Sequence, residues 1–389
     1  MSSNFKFKII HVYGNARVGE VSTAHGCFET PAFLPVATRG YIIGLSLEEV
    51  ARIGYNCIMC NTYHLWGQKI EEAGGLHSYI GWNGVIATDS GGFQIFSLGS
   101  GSEHGIGRTS NIFSTGTKRG ANYVKINDDC VEFNDPNYGR RCLTPELSIG
   151  LQELFGSDIM FALDECTSPN DDLSYVEWSL ERTHEWAKRC VGAKQSNNAL
   201  FGIVQGGIYE ELRVKSAKYI SSLPFDGYGI GGSFGGSKED MNSILGWVIP
   251  YLPEEKPRHL LGIGWVVDIF NAVRLGIDMF DCVEPTRLAR HGSLYIGPRA
   301  GGRPLNNFRL DIRKARNSED IPIDPDCNCY TCKNYTRKQL RELYMVEDSN
   351  YLQLAVTHNL HFMYTLMQEI RYSIRNNLLD ELERKWLGA

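Results

Sequence analysis

Short runs of consecutive apolar residues recur along this chain, and each stops at a polar residue or a glycine pair. They are PAFLPVAT (31–38), YNCIMCNT (55–62), GVIATDSGG (84–92), DIMFALDE (158–165), ALFGIVQGG (199–207), GYGIGG (227–232), HLLGIG (259–264) and MFDCVEP (279–285). An unbroken apolar run of this length predicts a strand buried on both faces. From the fourth run onward, the intervening segments carry apolar residues at spacings of three and four, as in 175–195 and 208–222, which predicts amphipathic helices. Buried strands alternating with such helices predict an α/β fold with a parallel sheet, and eight repeats predict a (β/α)8 TIM barrel with insertions.

In such barrels the chemistry sits at the carboxyl ends of the strands, where this sequence places Asp89, Asp164, Gln205, Gly232 and Asp281. An acid inside a buried strand costs several kcal/mol if unpaired, whereas one at the strand end can be aimed into the barrel mouth. Any one of these acids is equally readable as a cap for the next helix. Three acids at three strand ends point instead to a site. Glycine pairs in TDSGGF, VQGG and GIGG lie beside them and permit close approach of the backbone to a flat ligand. Several carboxylates facing one cavity can divide the roles of nucleophile and acid/base at an anomeric carbon.

Composition limits the alternatives. With 42% hydrophobic residues among 389, the chain can bury a large core. A net charge of -6 excludes a protein that coats nucleic acid with its whole surface and leaves room for a local basic patch. That patch is found between Arg287 and Arg316, where Arg287, Arg290, Arg299, Arg303, Arg309, Arg313, Lys314 and Arg316 are opposed by Asp311 alone. A solvated charged face is the equally open reading. Eleven cysteines and an N-terminus without a signal-peptide core disfavour a disulfide framework and predict a reducing, cytoplasmic compartment. No apolar stretch is long enough to span a bilayer, so no membrane role is expected. Cys327, Cys329 and Cys332 in CNCYTC, with a distant imidazole, predict a closed tetrahedral structural Zn2+ site; His358 and His361 both present themselves as fourth ligand.

TDSGGFQIFSL, FALDECT, GIVQGG, HLLGIG, GIDMFDCVEPTR and the CxCxxC cluster with its histidine, taken in order over nearly the whole chain, resemble the tRNA-guanine transglycosylases. The resemblance implies exchange of guanine at the wobble position of GUN-anticodon tRNAs for queuine or preQ1, both 7-deazaguanines, through a covalent ribosyl-enzyme. It implies Asp281 as nucleophile, Asp89 as general acid/base and Phe93 as the ring stacked on the base. Ser90, Gly91, Gly92, Asp164, Cys166, Gln205, Gly232, Ser233, Gly235, Leu261 and Gly262 would form the base pocket. The anticodon arm would be met by Gly262, Ile263, Gly264, Trp265, Val266, Val267 and Asp268, and by Thr286, Arg287, Leu288, Ala289 and Arg290. The resemblance also implies His358 as the fourth zinc ligand and a homodimer. It divides the chain into a catalytic barrel with an N-terminal β segment, residues 1–310, and a zinc-binding subdomain with C-terminal helices, residues 311–389.

The chain departs from the family pattern at GGSFGGSKED (231–240), where a customary glutamate is missing and Gly235 stands in place of a valine common among preQ1-using members. His291 replaces a common asparagine and Trp265 a common lysine. The missing bulk predicts acceptance of queuine. Two other readings stand beside transglycosylation: a catalytically silent RNA-binding subunit of the same fold, and a zinc-stabilised nucleoside or glycoside hydrolase.

Overall fold

The computed structural model describes residues 4–100, 124–135, 138–168, 171–232, 234 and 238–388. All eight apolar runs are strands: β1 (Ala32–Pro35), β2 (Cys57–Cys60), β3 (Val85–Thr88), β4 (Ile159–Phe161), β5 (Ala199–Val204), β6 (Gly227–Ile230), β7 (Arg258–Leu260) and β8 (Met279–Cys282). They form one sheet in the order β1-β8-β7-β6-β5-β4-β3-β2, with parallel pairing such as Ala32↔Met279, Ile159↔Ala199 and Phe201↔Gly227. The order starts and ends on the first two strands of the series, which is the strand order of the expected (β/α)8 barrel.

Burial explains why the runs were unbroken. Every residue of β1 to β7 is buried, and in β8 the single residue that is not is Asp281. The chain thus places one partly solvated acid in an otherwise dry set of strands, in register with Leu34.

The predicted helices are also present. A nine-residue helix, α1 (Gly92–Ser100), follows β3; α2 (Leu173–Ala193) and α3 (Glu210–Ser222) occupy the two segments with helical spacing. The Asp172 side chain accepts the Tyr175 N–H at 2.8 Å, which caps α2, and Val176, Leu180, Thr183, Ala187 and Cys190 form its buried stripe. Helix α4 (Val266–Leu275) follows β7, and α5 (Glu284–Arg290) follows β8. Further on come α6 (Tyr330–Asn334) and the long α7 (Ser349–Arg375).

The chain divides into two compact units. One comprises Met1–Phe7, Ser22–Gly26 and Met59–Leu261, the other Lys8–Val21, Cys27–Ile58 and Gly262–Ala389. Within the second, Arg17 donates to both carboxylate oxygens of Asp278 at 2.8 and 2.6 Å, fully buried, immediately before β8. Two antiparallel sheets add to the parallel one, one of Lys6–Tyr13, Ala16–Thr23 and Gly26–Thr30 ahead of β1 in the chain, the other of Val124–Ile126, Val131–Asp135 and Gly139–Leu143 inserted between β3 and β4. The latter carries a Cys130–Cys142 disulfide, an exception to the expected absence of a disulfide framework; the other nine cysteines are unbridged. No helix among the described residues is long and apolar enough to cross a membrane.

Candidate active site

In the first unit the polar ends of β3, β4 and β5 are held by specific hydrogen bonds. Asp89 directly follows β3 and is half-buried. Its carboxylate accepts from Asn61 Nδ2 at 2.5 Å and from the backbone N–H groups of Thr62 and Gly91, each at 3.0 Å. The positive φ of Gly91, 82°, is what turns its N–H back onto that carboxylate. Ser90 is buried and its Oγ accepts from the Gly92 N–H, while Phe93 is exposed at the first turn of α1, free to offer a ring face.

Three residues past β4, Asp164 accepts a 2.6 Å hydrogen bond from Gln205 Nε2, which follows β5. Burial pushes the Asp164 carboxyl up to about 6, and it pushes the neighbouring Cys166 thiol up to about 12, so that thiol stays neutral at physiological pH. Gln205 Oε1 is buried with no hydrogen-bond partner among the described residues. An orphaned acceptor beside a carboxylate fits a ligand that brings its own N–H groups. Gly232, at φ 87°, lies so close that a Cβ there would stand 2.1 Å from that oxygen.

Two features here were not read from the sequence. Arg213 on α3 is fully buried and donates to the carbonyls of Gly207 (2.7 Å), Val204 (3.1 Å) and Gly231 (2.9 Å), tying the end of β5 to the end of β6. Glu165, next to Asp164, is buried against Arg182 Nη1 at 2.5 Å and the Tyr175 hydroxyl at 2.6 Å. Both fix the backbone that presents the pocket residues. Nothing in the sequence separates Arg213 or Arg182 from the exposed charges of the same helices.

In the second unit Asp281 is half-buried, and its Oδ1 accepts the backbone N–H of Gly262 at 3.2 Å. The turn from Gly262 to Asp268 runs into α4. Trp265 in it donates from Nε1 to Glu284 Oε1 at 2.8 Å, and Arg309 donates to the same oxygen. Of the residues expected to meet RNA, Gly264, Val266, Thr286 and Ala289 are buried, whereas Gly262, Ile263, Trp265, Val267, Asp268, Arg287, Leu288 and Arg290 are not. Partial burial and the neighbouring Arg287 lower the Arg290 guanidinium from its ordinary value, a repulsion that a phosphate would relieve. The basic stretch is narrower than its composition. Arg299 pairs with Asp326, Arg309 with Glu284 and Arg313 with Asp311, and Arg303 is spent on the carbonyls of Pro298 and Gly302.

The cysteine cluster is a compact donor set that could hold a metal ion. His358 Nδ1 lies 3.7, 3.6 and 3.3 Å from the sulfurs of Cys327, Cys329 and Cys332. Ligands bonded at ~2.0–2.3 Å to one tetrahedral ion stand about this far apart. The other ring nitrogen, Nε2, is 2.7 Å from the Tyr295 carbonyl, which fixes the tautomer that leaves Nδ1 free to bind. His361 Nδ1 approaches Cys327 alone among the sulfurs, at 3.6 Å, and also contacts Thr365. Geometry therefore selects His358 over its neighbour one turn along α7. Asn359 beside it accepts the Tyr295 N–H and donates to the Pro285 and Ser293 carbonyls, which anchors α7 to the segment after β8.

Comparison with known proteins decides the family. The family model described as Queuine tRNA-ribosyltransferase matches residues 13–389. The chain belongs to the queuine tRNA-ribosyltransferase family. It is 49% identical to the putative queuine tRNA-ribosyltransferase of Archaeoglobus fulgidus, an alignment covering 98% of this chain and 99% of that one. It is 42% identical to the queuine tRNA-ribosyltransferases of Bacillus subtilis (95% of this chain, 92% of the relative) and Aquifex aeolicus (98% of each). Among ribosyltransferase pocket residues expected here, Ser233 and Gly235 lie outside the described residues. Leu261 is half-buried at the end of β7 and Gly262 is exposed.

Proposed function

We propose that this chain exchanges guanine at the wobble position of GUN-anticodon tRNAs for a 7-deazaguanine, in queuosine modification of tRNA, with Asp281 as the nucleophile. Membership of the ribosyltransferase family makes it an enzyme, a pentosyltransferase acting on guanine in tRNA. The observation that carries the residue assignment is that Asp281 is the one partly solvated position in eight otherwise buried strands.

The Asp281 carboxylate attacks C1′, the C1′–N9 bond breaks, and guanine leaves with a proton supplied by Asp89 in its acid form, which becomes the carboxylate. The incoming base then attacks C1′ through N9, returns that proton to Asp89, and releases Asp281 as a carboxylate. The Asn61 amide and two backbone N–H groups hold Asp89 in one orientation for both transfers. The Gly262 N–H on Oδ1 orients the Asp281 carboxylate. Asp164, Gln205 with its orphaned oxygen, Cys166 and the Gly232 backbone match the alternating donors and acceptors on a guanine edge, and exposed Phe93 supplies a stacking face.

Zn2+ suits the Cys3His donors, and with four protein ligands its role is structural. Cys327, Cys329, Cys332 and His358 would hold it, joining α6 to α7. The anticodon arm is the RNA partner, with Arg287 and Arg290 as phosphate contacts, and the active species is a homodimer in the cytoplasm. Queuine is accepted as incoming base at least as well as preQ1.

Incubation of the protein with unmodified tRNA and labelled guanine tests the reaction. Label enters GUN-anticodon tRNA at position 34 on this account. Release of free guanine without incorporation would assign hydrolysis instead, and tRNA binding without either outcome would assign a silent subunit.

A further inference from the structure

One guanidinium and two aromatic rings meet in the unit that carries Asp89 and Asp164. Arg141 lies on the strand Gly139–Leu143, opposite Phe133 of the antiparallel strand Val131–Asp135. Its Cζ stands 4.3 Å from the centre of the Trp66 ring and 3.9 Å from that of Tyr138. Trp66 closes the short helix Thr62–Leu65 and makes an edge contact with buried Phe133 at 6.1 Å between ring centres. Tyr138 is held at both ends: its hydroxyl donates to the Gly67 carbonyl at 3.5 Å, and its backbone N–H donates to Asp135 Oδ1 at 3.1 Å. A Cβ at Gly67 would stand 2.9 Å from that hydroxyl, so the glycine is what lets the ring approach.

We infer that Arg141, framed by Trp66 and Tyr138, binds a backbone phosphate of the tRNA substrate close to the nucleotide whose base is exchanged. The inference rests on the exchange reaction proposed above and adds a phosphate contact supplied by the unit that carries the base pocket. Three observations converge on it. Arg141 has no ion pair or hydrogen bond to any described residue, whereas the adjacent Arg140 is paired with Glu132. Stacking on the rings strips water from the guanidinium faces and leaves its in-plane N–H groups as donors, a planar fork that matches two phosphate oxygens. The third observation is position. The helix that ends at Trp66 begins at Thr62, whose N–H holds the Asp89 carboxylate at 3.0 Å, and four helical residues span only ~6 Å.

The surroundings favour an anion over a further protein contact. The acids nearest in sequence are already engaged, Glu132 by Arg140 and by Asn127 Nδ2 at 3.2 Å, and Asp135 by the Tyr138 N–H. In a chain of net charge -6, an arginine left without a carboxylate beside the acid/base is suited to a polyanion. The ring faces that meet Arg141 are taken, so the cluster offers a positive charge and N–H donors, which a phosphate uses. Both rings hold the guanidinium in place before binding, which lowers the ordering cost when RNA docks. A phosphate contact carries no base information, so Arg141 strengthens binding of cognate and non-cognate tRNA alike and leaves the choice of anticodon to other residues.

Filter retention of unmodified tRNA on the full-length protein, from ~50 to ~200 mM salt, tests this. Arg141→Met keeps an unbranched apolar stem against the rings and removes the charge. It should weaken tRNA binding by ~5-fold or more at low salt and shrink the slope of log affinity against log salt by about 0.7, the share of one phosphate on a single strand. The KM for tRNA should rise by the same factor, with the KM for guanine at its wild-type value. Arg141→Lys restores the charge without the fork and should recover the slope. An arginine that only clamps the strand to Trp66 would change melting and leave the slope alone. An unchanged slope and tRNA KM in Arg141→Met, or a lost slope that Arg141→Lys does not restore, would overturn the inference. Guanine incorporation by the wild type is read separately: its absence would sink the exchange reaction, while the binding slope still judges Arg141.

Discussion

Gln205 Nε2 donates to the Asp164 carboxylate at 2.6 Å and leaves its own carbonyl oxygen buried without a partner. The pair therefore offers two acceptors side by side, one charged, to a ligand edge that carries N–H groups. Burial holds the Asp164 carboxyl at about 6, so the acceptor strength depends on pH in a range the enzyme meets.

The first prediction follows from that value. Above pH 6 Asp164 is a carboxylate and binds the donor edge of guanine; as pH falls through 6 it is protonated and the KM for free guanine rises. The folded value lies above the unfolded one, so this group favours the folded state at low pH and loses that contribution as pH rises through about 6. Asp164→Asn keeps the hydrogen bond from Gln205, should raise Tm at pH 8, and should raise the KM for guanine by ~10-fold or more through loss of a charged acceptor. Steady-state exchange kinetics at pH 5 to 8 and thermal melts of both proteins check it. A pH-independent KM would separate Asp164 from base binding.

Gly232→Ala addresses the same pocket from the backbone. A Cβ would stand 2.1 Å from Gln205 Oε1, on a residue whose φ of 87° already disfavours a side chain. The cost is about 1–3 kcal/mol of strain, relieved by displacing Gln205. Guanine KM should rise while tRNA binding, measured by filter retention, stays at the wild-type level.

How much of this was legible in the sequence follows from where the physics acts. The eight barrel strands were readable because parallel strands buried on both faces are unbroken apolar runs, and Val85–Thr88 or Ala199–Val204 have no other plausible home. The antiparallel strands Val124–Ile126, Val131–Asp135 and Gly139–Leu143 escaped, since they are short and largely half-exposed and carry no such run. Asp89, Asp164 and Asp281 were findable as acids ending apolar runs. Arg213 and Glu165 were not, because a buried charge on an amphipathic helix or loop is set by carbonyls and partners brought in from elsewhere. The choice of His358 over His361 needed the direction of each ring, which spacing on one helix cannot give.

The zinc assignment gives the third prediction. Cys329→Ala and His358→Ala each remove a ligand and leave a buried, incomplete donor set, so both should lose the ion held by the cysteine cluster and lower Tm by ~5 °C or more. Metal analysis with calorimetry reads this, and full occupancy of that cluster with unchanged melting in both variants would contradict it. His361→Ala should keep the ion.

The most direct test of the account concerns the bond between protein and RNA. Wild-type protein incubated with unmodified tRNA and quenched in SDS should yield a covalent adduct whose linkage maps to Asp281, and added guanine should reverse it. Asp281→Asn should fold and bind tRNA yet give no adduct, because a neutral amide is a very poor nucleophile. An adduct of undiminished yield in the Asn variant, or one mapped to another residue, would contradict the assignment of Asp281 as nucleophile.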